Sequence, residues 1–285
     1  MRIASLDREQ LAAATALLSR SLPRDNIAVV ADEKLFGGNG TRQGAALGAF
    51  ADDDTLVGVA ATAGRWLKLL AVDETQRRRG IGSALLDHIQ AAQPTVSLRV
   101  GDHPGNYLSP GVDGSYAEAR AFFDARGFRE VGMVENIRAP MDTLPPLTDV
   151  AGYTLCRVDA TTRALALDWI GRRFAPVWAL EAGRALDGPR RALHMAFVDG
   201  DYAAPVAFAA ADGNNQGLGW FGPAGTEGAH RGKRLGEALL LRCLHDVCGL
   251  PEAGVIAWIG PKEFYRKTVG AVEDRRFIQL ERPAK

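Results

Sequence analysis

The chain has little of what marks a secreted, membrane-bound or nucleic-acid-binding protein. It holds three cysteines in 285 residues, and their spacing fits neither a disulfide framework nor a metal site. Lysine plus arginine equal aspartate plus glutamate at 34 each, so no charge excess favours nucleic acid or an anionic membrane. The sequence also has no apolar run of about 18 residues and no basic-then-apolar leader. We therefore expect a cytoplasmic protein without metal, membrane or nucleic acid as its partner.

The composition is that of an ordinary globular protein. Hydrophobic residues make up 47% and charged residues 24% of the chain, which is enough apolar material to bury a core. The length suits two domains of about 140 residues better than one small domain. Arginine greatly outnumbers lysine, and alanine and glycine are abundant, which indicates a GC-rich bacterial genome.

One short pattern occurs twice, about half a chain apart. The first copy runs from Leu70 to Gly82 and the second from Ala224 to Gly236. Each contains a strand-like run, an acidic residue, a few loop residues, a basic cluster, a glycine and then a helical apolar pattern. Because order and phase are the same, the pattern predicts a duplicated domain.

The chemistry of the pattern is that of an anion at a helix start. First-turn N–H groups have no helical partner, and the helix dipole adds positive charge there. Glycine lets the backbone approach a phosphate, and arginine donates to it through a fork. The pattern therefore assigns pyrophosphate binding to Arg77, Arg78, Arg79, Gly80, Ile81, Gly82 and Ser83, and to Arg231, Gly232, Lys233, Arg234, Leu235 and Gly236. For one copy alone, an arginine-rich helix cap on a solvated surface is the competing interpretation.

The two loops and the strands before them resemble the acetyl-CoA pyrophosphate loop, Gln/Arg-x-x-Gly-x-Gly/Ala, of the GNAT superfamily of N-acetyltransferases. A second block supports this resemblance: Phe-Tyr-Arg-Lys at 264–267 is similar to the family's Phe-Tyr-x-Lys segment, and 122–128 holds a related run in the first half. A strand-like run lies between loop and block in each half, at 95–100 and 254–259. The order fits a GNAT domain twice and covers nearly the whole chain.

The resemblance implies an α/β (α+β) fold built as tandem GNAT domains. Each would be a mixed twisted sheet with helices on both faces and a splay between its fourth and fifth strands. The first domain is predicted at 1–141, a proline-containing linker at 142–152 and the second domain at 153–285. The glycine- and proline-rich stretch 101–114 is predicted to be a long ordered loop.

The resemblance also implies an activity, with acetyl-CoA as co-substrate. A primary amine would attack the thioester directly, and the pantetheine arm would lie along Leu70, Ala71 and Val72 or along Ala224, Gly225 and Thr226. Tyr265 stands at the family's position for the acid that protonates the departing thiolate, and a tyrosine pKa near 10 suits a thiol pKa of about 8.5. A half-buried packing aromatic is the alternative for this tyrosine.

The two halves depart from the family pattern in different places. Phe123 stands where Tyr265 stands in the second half, so either Tyr107 or Tyr116 substitutes, or the first domain dispenses with a tyrosine acid, or it binds without catalysing. Arg234 replaces the usual first loop glycine, where its side chain either crowds the pyrophosphate or adds charge to it. The sequence leaves open which half is active.

The sequence says least about which residues bind the acceptor and which residue is the general base. Glu74 and Glu227, at the ends of the fourth strands, are candidate general bases, with solvated acids near a helix start as the alternative. The substrate-binding candidates are His103, Asn106, Tyr107, Trp220 and Trp258, although core packing is the alternative for the two tryptophans.

Three hypotheses on function follow from the sequence. Segment 104–113 resembles tandem bacterial GNAT proteins linked to amino-sugar metabolism, so we expect a small-molecule amine, such as an amino sugar, as acceptor. The first hypothesis is an N-acetyltransferase with at least one active domain. The second has one catalytic domain beside a CoA- or acceptor-binding module, and the third is a non-catalytic acyl-CoA sensor. A monomer and a homodimer both fit.

Overall fold

The computed structural model describes residues 1–40, 42–258 and 260–284. The chain divides into two compact units, the first made of residues 1–134 and 276–285 and the second of residues 135–275. This division differs from the predicted boundaries, because the last strand returns to the first unit. The predicted linker lies within the second unit, and its residues Leu144 and Val150 pack against that unit's core.

Unit 1 is a mixed sheet with helices. Its strands are β1 (Arg2–Ser5), β2 (Ala45–Phe50), β3 (Leu56–Ala63), β4 (Trp66–Val72), β5 (Leu98–Val100), β6 (Val112–Asp113) and the first part of β7 (Arg129–Arg138). Its helices are α1 (Leu11–Ser21), α2 (Ile27–Phe36), α3 (Ile81–Ala92) and α4 (Ala117–Ala125).

The first four strands of unit 1 form an antiparallel meander, and β5 joins β4 in parallel. Residues 57–61 of β3 are all buried, so helices cover both faces of the sheet. The predicted apolar face of α3 is confirmed: Ile81, Leu85, Leu86 and Ile89 lie in the core.

Unit 2 repeats this arrangement. Its strands are the end of β7, then β8 (Tyr153–Arg157), β9 (Leu193–Val198), β10 (Ala207–Ala211), β11 (Phe221–Thr226), β12 (Val255–Ile256) and the first residues of β13 (Val272–Arg282). Its helices are α5 (Arg163–Arg173), α6 (Pro176–Asp187), α7 (Leu235–Val247) and α8 (Lys262–Val269). The sheet order is β7-β12-β11-β10-β9-β8. The face predicted for α7, with Leu235, Leu239, Cys243 and Val247, is also buried.

The last strand completes the sheet of unit 1. From Arg276 onward β13 belongs to that unit, where it pairs antiparallel with β5 and β6. Leu280 lies opposite Val100, and Phe277 lies opposite Asp113. Both apolar side chains are fully buried. The first unit therefore depends on residues from the far end of the sequence.

We expect Phe277→Ala to destabilise unit 1 by about 3–5 kcal/mol, the usual loss when a buried phenylalanine leaves a cavity. Val272→Ala, at a residue of the same strand that is 63% exposed, is the matched control and should change stability by less than about 0.5 kcal/mol. Hydrogen exchange of the backbone amides of unit 1 measures the difference. Equal protection in the two variants would contradict the assigned role of β13.

Candidate functional site

Strand β4 is paired with β5 only at its beginning. Arg99 donates its backbone N–H to the carbonyl of Arg65 at 2.9 Å, and Gly101 donates to that of Leu67 at 2.9 Å. The chain then turns away from the sheet at Gly101, whose φ is 70°. The rest of β4 has β3 on one side and an open edge on the other, so the predicted splay is present in unit 1.

A β-bulge decides which residues face this open edge. The β3–β4 register shifts between Ala61 and Thr62, which leaves Lys68 as an extra residue in β4. Beyond the bulge, Asp73 donates its N–H to the Val57 carbonyl at 3.0 Å. By alternation, the backbone groups of Leu70 and Val72 point away from β3 and toward the open edge. That these two residues bind a pantetheine arm stays a prediction.

Strand β11 of unit 2 has the same geometry. Its register with β10 shifts between Ala209 and Ala211, and Glu227 donates its N–H to the Val206 carbonyl at 2.9 Å. Alternation then places the backbone groups of Ala224 and Thr226 at the open edge. Strand β12 pairs with β11 only where Phe221 lies opposite Ile256.

The loops after the two strands also match in atomic detail. In the first loop Arg77 donates its Nε–H to the Val72 carbonyl at 3.4 Å, and in the second Arg231 donates to that of Thr226 at 3.2 Å. Two positions of each loop are left-handed: Arg78 and Gly80 have φ of 63° and 82°, and the matching residues 232 and 234 have φ of 77° and 63°. The repetition seen in the sequence is therefore a repetition of backbone conformation.

Both loops present unpaired backbone donors. Among the described residues, the N–H groups from 78 to 83 and from 232 to 237 donate to no protein acceptor. The first intrahelical bonds come from Ala84 to the Gly80 carbonyl and from Ala238 to the Arg234 carbonyl. Such a run of amides at a helix start, with basic side chains beside it, forms a cradle for an anion.

The space around the loops fits a diphosphate. A Cβ built on Gly80 or Gly232 meets no atom within 4 Å, so the backbone there faces open space. Gly82 and Gly236 are backed by aromatic rings, because a Cβ on either would lie 3.5 Å from the ring of Phe122 or Phe264, respectively. Unpaired donors, basic side chains and open space are the features that favour an anion at a helix start; that this anion is the diphosphate of CoA stays a prediction.

The other loop residues are held by the protein. Arg79 binds Gln76, Lys233 donates to the Tyr153 hydroxyl at 2.9 Å, and the Ser83 hydroxyl accepts from Arg126. Ile81 and Leu235 are buried, so each offers only its backbone.

Arg234 turns toward the first turn of α7. Its Nε lies 3.0 Å from Oε2 of Glu237, and this contact holds the pKa of the Glu237 carboxyl below its usual value. The side chain is exposed. Part of its charge is therefore matched inside the protein.

Tyr265 is partly buried and has an unpaired hydroxyl among the described residues. Its ring packs in T-shaped contacts against Phe264 and against Phe221 of β11, at centroid distances of 5.0 and 6.2 Å. Among the described residues its hydroxyl has no hydrogen-bond partner. Burial raises the pKa of Tyr265 to about 12, since desolvation disfavours the phenolate. The hydroxyl thus keeps its proton at neutral pH and is not committed to another group.

We expect Tyr265 to ionise at about pH 12. The neutral form is favoured in the folded protein, so folding opposes ionisation from the unfolded pKa of about 10 upward. Ultraviolet absorbance of tyrosinate measures this, and Tyr265→Phe should remove the step near pH 12. Retention of that step in the variant would contradict the assignment.

The corresponding position in unit 1 has no hydroxyl. Phe123 is buried and packs edge-on against Phe122 and Phe128. Of the two tyrosines proposed to replace it, Tyr116 donates its hydroxyl to Asp25 at 3.0 Å, and Tyr107 is partly buried in the long loop. The two units therefore differ in whether a tyrosine hydroxyl is present at this position.

The candidate bases have different environments. Glu227 is held by Arg173, with Nε and Oε1 2.6 Å apart, and the homologous Asp73 is held by Arg20 at 2.9 Å. Each pair ties the end of α5 or α1 to the end of the open-edged strand. Glu74 is exposed and has no side-chain partner among the described residues, so of the two predicted bases only Glu74 is both exposed and unpaired.

The loop after β5 buries two of the predicted substrate contacts. His103 is fully buried with no partner on either ring nitrogen among the described residues, and burial, followed by Lys68, lowers its pKa to about 4. The Asn106 amide donates to the carbonyls of Glu33 and Gly38 at 3.2 and 3.1 Å. Asn106 thus anchors the loop to the end of α2, whereas His103 is a neutral, unpaired imidazole.

The two tryptophans that were predicted to bind substrate differ in burial. Trp220 is buried and donates its indole N–H to Glu252 at 2.5 Å, a contact that favours core packing. Trp258 follows β12 and is 41% exposed, so its side chain is partly accessible to solvent.

Two absences concern only the part of the chain that the structure describes. No group of three or more histidine, cysteine or acidic side chains is arranged to bind a metal there. No helix within it has the length and apolarity to cross a membrane.

Comparison with known families gives a match to the acetyltransferase (GNAT) domain over residues 26–130. Residues 26–130 are a GNAT domain. No curated protein matches the chain. Solved structures match it over its whole length: a tandem GNAT protein from the clavulanic acid biosynthesis pathway is 17% identical with a TM-score of 0.68, covering 100% of this chain and 98% of the other. At this identity the likeness shows the tandem GNAT fold.

Two further structures have the same fold. A GCN5-related N-acetyltransferase from Sphaerobacter thermophilus is 17% identical with a TM-score of 0.67, covering 100% of this chain and 96% of the other. A GCN5-related glucosamine N-acetyltransferase region of a fungal multi-domain GH3 β-N-acetylglucosaminidase is 16% identical with a TM-score of 0.76. That match covers 98% of this chain, which spans only 38% of the fungal one.

Proposed function

We propose that this tandem GNAT protein is an acetyl-CoA-dependent N-acetyltransferase that acts on the primary amine of a small molecule, with amino sugars as the acceptor class. The observation that carries the proposal is the Tyr265 hydroxyl, which has no hydrogen-bond partner among the described residues and belongs to a ring packed against Phe221 of β11. The amide cradle at 232–237 lies at the end of the same strand. Unit 2 therefore holds a thioester-binding edge, an anion site and an acid.

In this proposal acetyl-CoA, when bound, supplies the acetyl group to an attacking neutral amine. The amide-rich loop holds the diphosphate, and backbone N–H groups at the open edge of β11 polarise the carbonyl. A C–N bond forms as the C–S bond breaks. The departing sulfur takes its proton from the Tyr265 hydroxyl, solvent returns that proton to the phenolate, and the amine gives up its own proton to water.

The acceptor class rests on two likenesses. Segment 104–113 resembles tandem bacterial GNAT proteins linked to amino-sugar metabolism, and one structure of the same fold is a glucosamine N-acetyltransferase region. Thiol release from acetyl-CoA, measured with the intact chain against amino sugars, polyamines and amino acids, tests the proposal. Release with none of these amines would contradict it.

Phe123 favours a second possibility, in which only one of the two units is catalytic. Because unit 1 has no hydroxyl there, we propose that it binds CoA or acceptor without transferring the acetyl group, while unit 2 catalyses. Two acetyl-CoA binding equivalents, of which only the one in unit 2 turns over, are the expected result. A fully active chain with a disabled second loop would place catalysis in unit 1 instead.

A further inference from the structure

Unit 1 has a cleft beside the C-terminal end of α2. This unit 1 cleft has a volume of about 620 Å³, a usual size for a small-molecule site, and is lined by Phe36, Gly38, Gly40, Arg42 and Gln43. The Arg42 guanidinium lies over the Trp66 ring, 5.7 Å from its centroid. Arg42 is exposed and forms no ion pair among the described residues. The cleft therefore offers a cation to a ligand.

Two lysines are buried next to the residues that line the cleft. Lys68 of β4 donates to the carbonyl of Gly37, which stands between two of the lining residues, at 2.7 Å. Lys34 of α2 donates to the side-chain oxygen of Asn106 at 3.0 Å and pairs with Glu33 at 2.5 Å. The two lysines are only 4% and 0% exposed. Because burial of a charge is costly, these ammonium groups need a structural or functional reason.

Capping of α2 does not supply that reason. A helix C-terminus carries about half a negative charge, and neutral donors can satisfy its free carbonyls. In unit 2 the matching helix α6 ends before Gly188, and the Gln216 amide donates to the Arg184 carbonyl at 2.8 Å. In unit 1 the Asn106 amide makes the same contact with the Glu33 carbonyl. The two helix ends are thus capped alike without the lysines.

Unit 2 has small uncharged residues at the two lysine positions. Lys34 lies three residues before the C-cap of α2, and Ala185 lies three residues before the C-cap of α6. Counted back from the last residue of each strand, Lys68 of β4 corresponds to Gly222 of β11. The same fold therefore forms without these charges, and we look for their role in something that unit 1 alone binds.

His103 reveals the sign of the potential in this place. It is fully buried, its ring centroid lies 5.2 Å from that of Trp66, and neither ring nitrogen has a partner among the described residues. Burial, followed by the charges of Lys68, Lys34 and Arg42, lowers its pKa to about 4. The imidazole is therefore neutral, lies in a positive potential and is not committed to a protein group.

We propose that the unit 1 cleft binds the carboxylate of a small organic acid, with Arg42 as the side chain that contacts it. A guanidinium fork matches the two oxygens of a carboxylate. Phe36 gives the rest of the ligand an apolar wall, and the buried ammonium groups add attraction that salt screens only weakly. The site uses none of the residues of the amide cradle at 78–83 and does not depend on the proposed acetyl transfer. It gives unit 1 a ligand of its own.

Calorimetric titration of the intact chain with benzoate tests the proposal, with benzamide as the uncharged molecule of the same shape and inorganic phosphate as a second anion. We expect saturable binding of benzoate at millimolar concentration and at least tenfold weaker binding of benzamide and phosphate. Lys68→Met removes the charge and keeps most of the side-chain volume, and it should weaken benzoate binding about tenfold. Arg42→Gln should do the same. Lys267→Met, at an exposed lysine of unit 2, is the matched control and should leave binding unchanged.

The site of binding is checked by nuclear magnetic resonance of the histidine rings. Benzoate should shift the ring signals of His103, which His103→Phe identifies, and should leave those of His230 beside the second amide loop unchanged. Arg42 is exposed, so Arg42→Gln decides the question if Lys68→Met does not fold.

Three results would overturn the proposal: no saturation with benzoate, equal binding of benzamide, or benzoate binding that survives Arg42→Gln and is lost in Gly82→Asp. The last result would assign the anion to the amide loop. Phosphate that binds more tightly than benzoate would also contradict an organic acid as the ligand. Thiol release from acetyl-CoA, measured in the same variants, tests the acetyl-transfer proposal separately, so the failure of one leaves the other standing.

Discussion

Replacing Tyr265 by phenylalanine is expected to lower kcat by about a hundredfold to ten-thousandfold, the usual contribution of a positioned acid. The KM for acetyl-CoA should change little, because the hydroxyl acts only as the thiolate departs. The substitution removes one oxygen atom that has no protein partner among the described residues, so neither packing nor stability should suffer. Steady-state thiol release measures the effect.

The matched control for this prediction is Tyr202→Phe. Tyr202 belongs to the same unit, is 57% exposed and lies in contact with Thr154 and Phe197. Its kcat should equal that of the unaltered chain. A kcat for Tyr265→Phe within threefold of the unaltered value would show that another group, or water, protonates the thiolate.

A carboxylate at either helix start should abolish binding of acetyl-CoA to that unit. Gly82→Asp and Gly236→Asp place a negative charge among the unpaired amides, and each new Cβ fits at 3.5 Å from a phenyl ring. Repulsion between unit charges about 4 Å apart reaches roughly 4 kcal/mol at an effective dielectric constant near 20. We therefore expect affinity at the altered site to fall at least a hundredfold, with allowance for screening by solvent.

The two aspartate variants also distinguish the binding site of unit 1 from that of unit 2. Each should lose one of two binding equivalents in a calorimetric titration, and only Gly236→Asp should lose acetyl transfer. Gly82→Asn and Gly236→Asn, which add volume without charge, are the controls and should retain binding. If both aspartate variants kept two equivalents, the diphosphate would lie elsewhere.

The parts of the site that are local in sequence are predictable from it. Each loop lies with the strand before it and the helix after it in one continuous segment, 66–92 or 221–247, and the periodicity of these segments correctly gave the buried faces of α3 and α7. The structure adds two backbone features that periodicity does not predict. The bulge at Lys68 reverses which backbone groups face outward, and the left-handed backbone of Arg234 has no glycine to signal it.

Contacts between segments that are far apart in the chain could not be predicted from the sequence. The local sequence around β13 does not indicate its partner strands, so the return of β13 to unit 1 was not predicted. The fifth strands are also shorter than the predicted runs 95–100 and 254–259: β5 begins at Leu98, and β12 covers Val255 and Ile256. The ring of Phe174 packs against Gly225, which is far from it in the chain, and nothing in either local sequence signals this contact.

Because the domain is duplicated, each unit serves as a control for the other. The ion pairs Arg20–Asp73 and Arg173–Glu227 stand at matching positions, as do the bonds of Arg77 and Arg231 to their strands. Features common to both units are explained by the fold and the shared anion cradle. Tyr265, which has a counterpart without a hydroxyl in unit 1, is where we place catalysis.

The central claim is that the amides at 78–83 and 232–237 receive the diphosphate of CoA. Isothermal titration calorimetry of the intact chain with acetyl-CoA tests it most directly. We predict saturable heat with two equivalents, one of which disappears in each aspartate variant. Absence of heat with acetyl-CoA and with free CoA at millimolar concentration would contradict the claim.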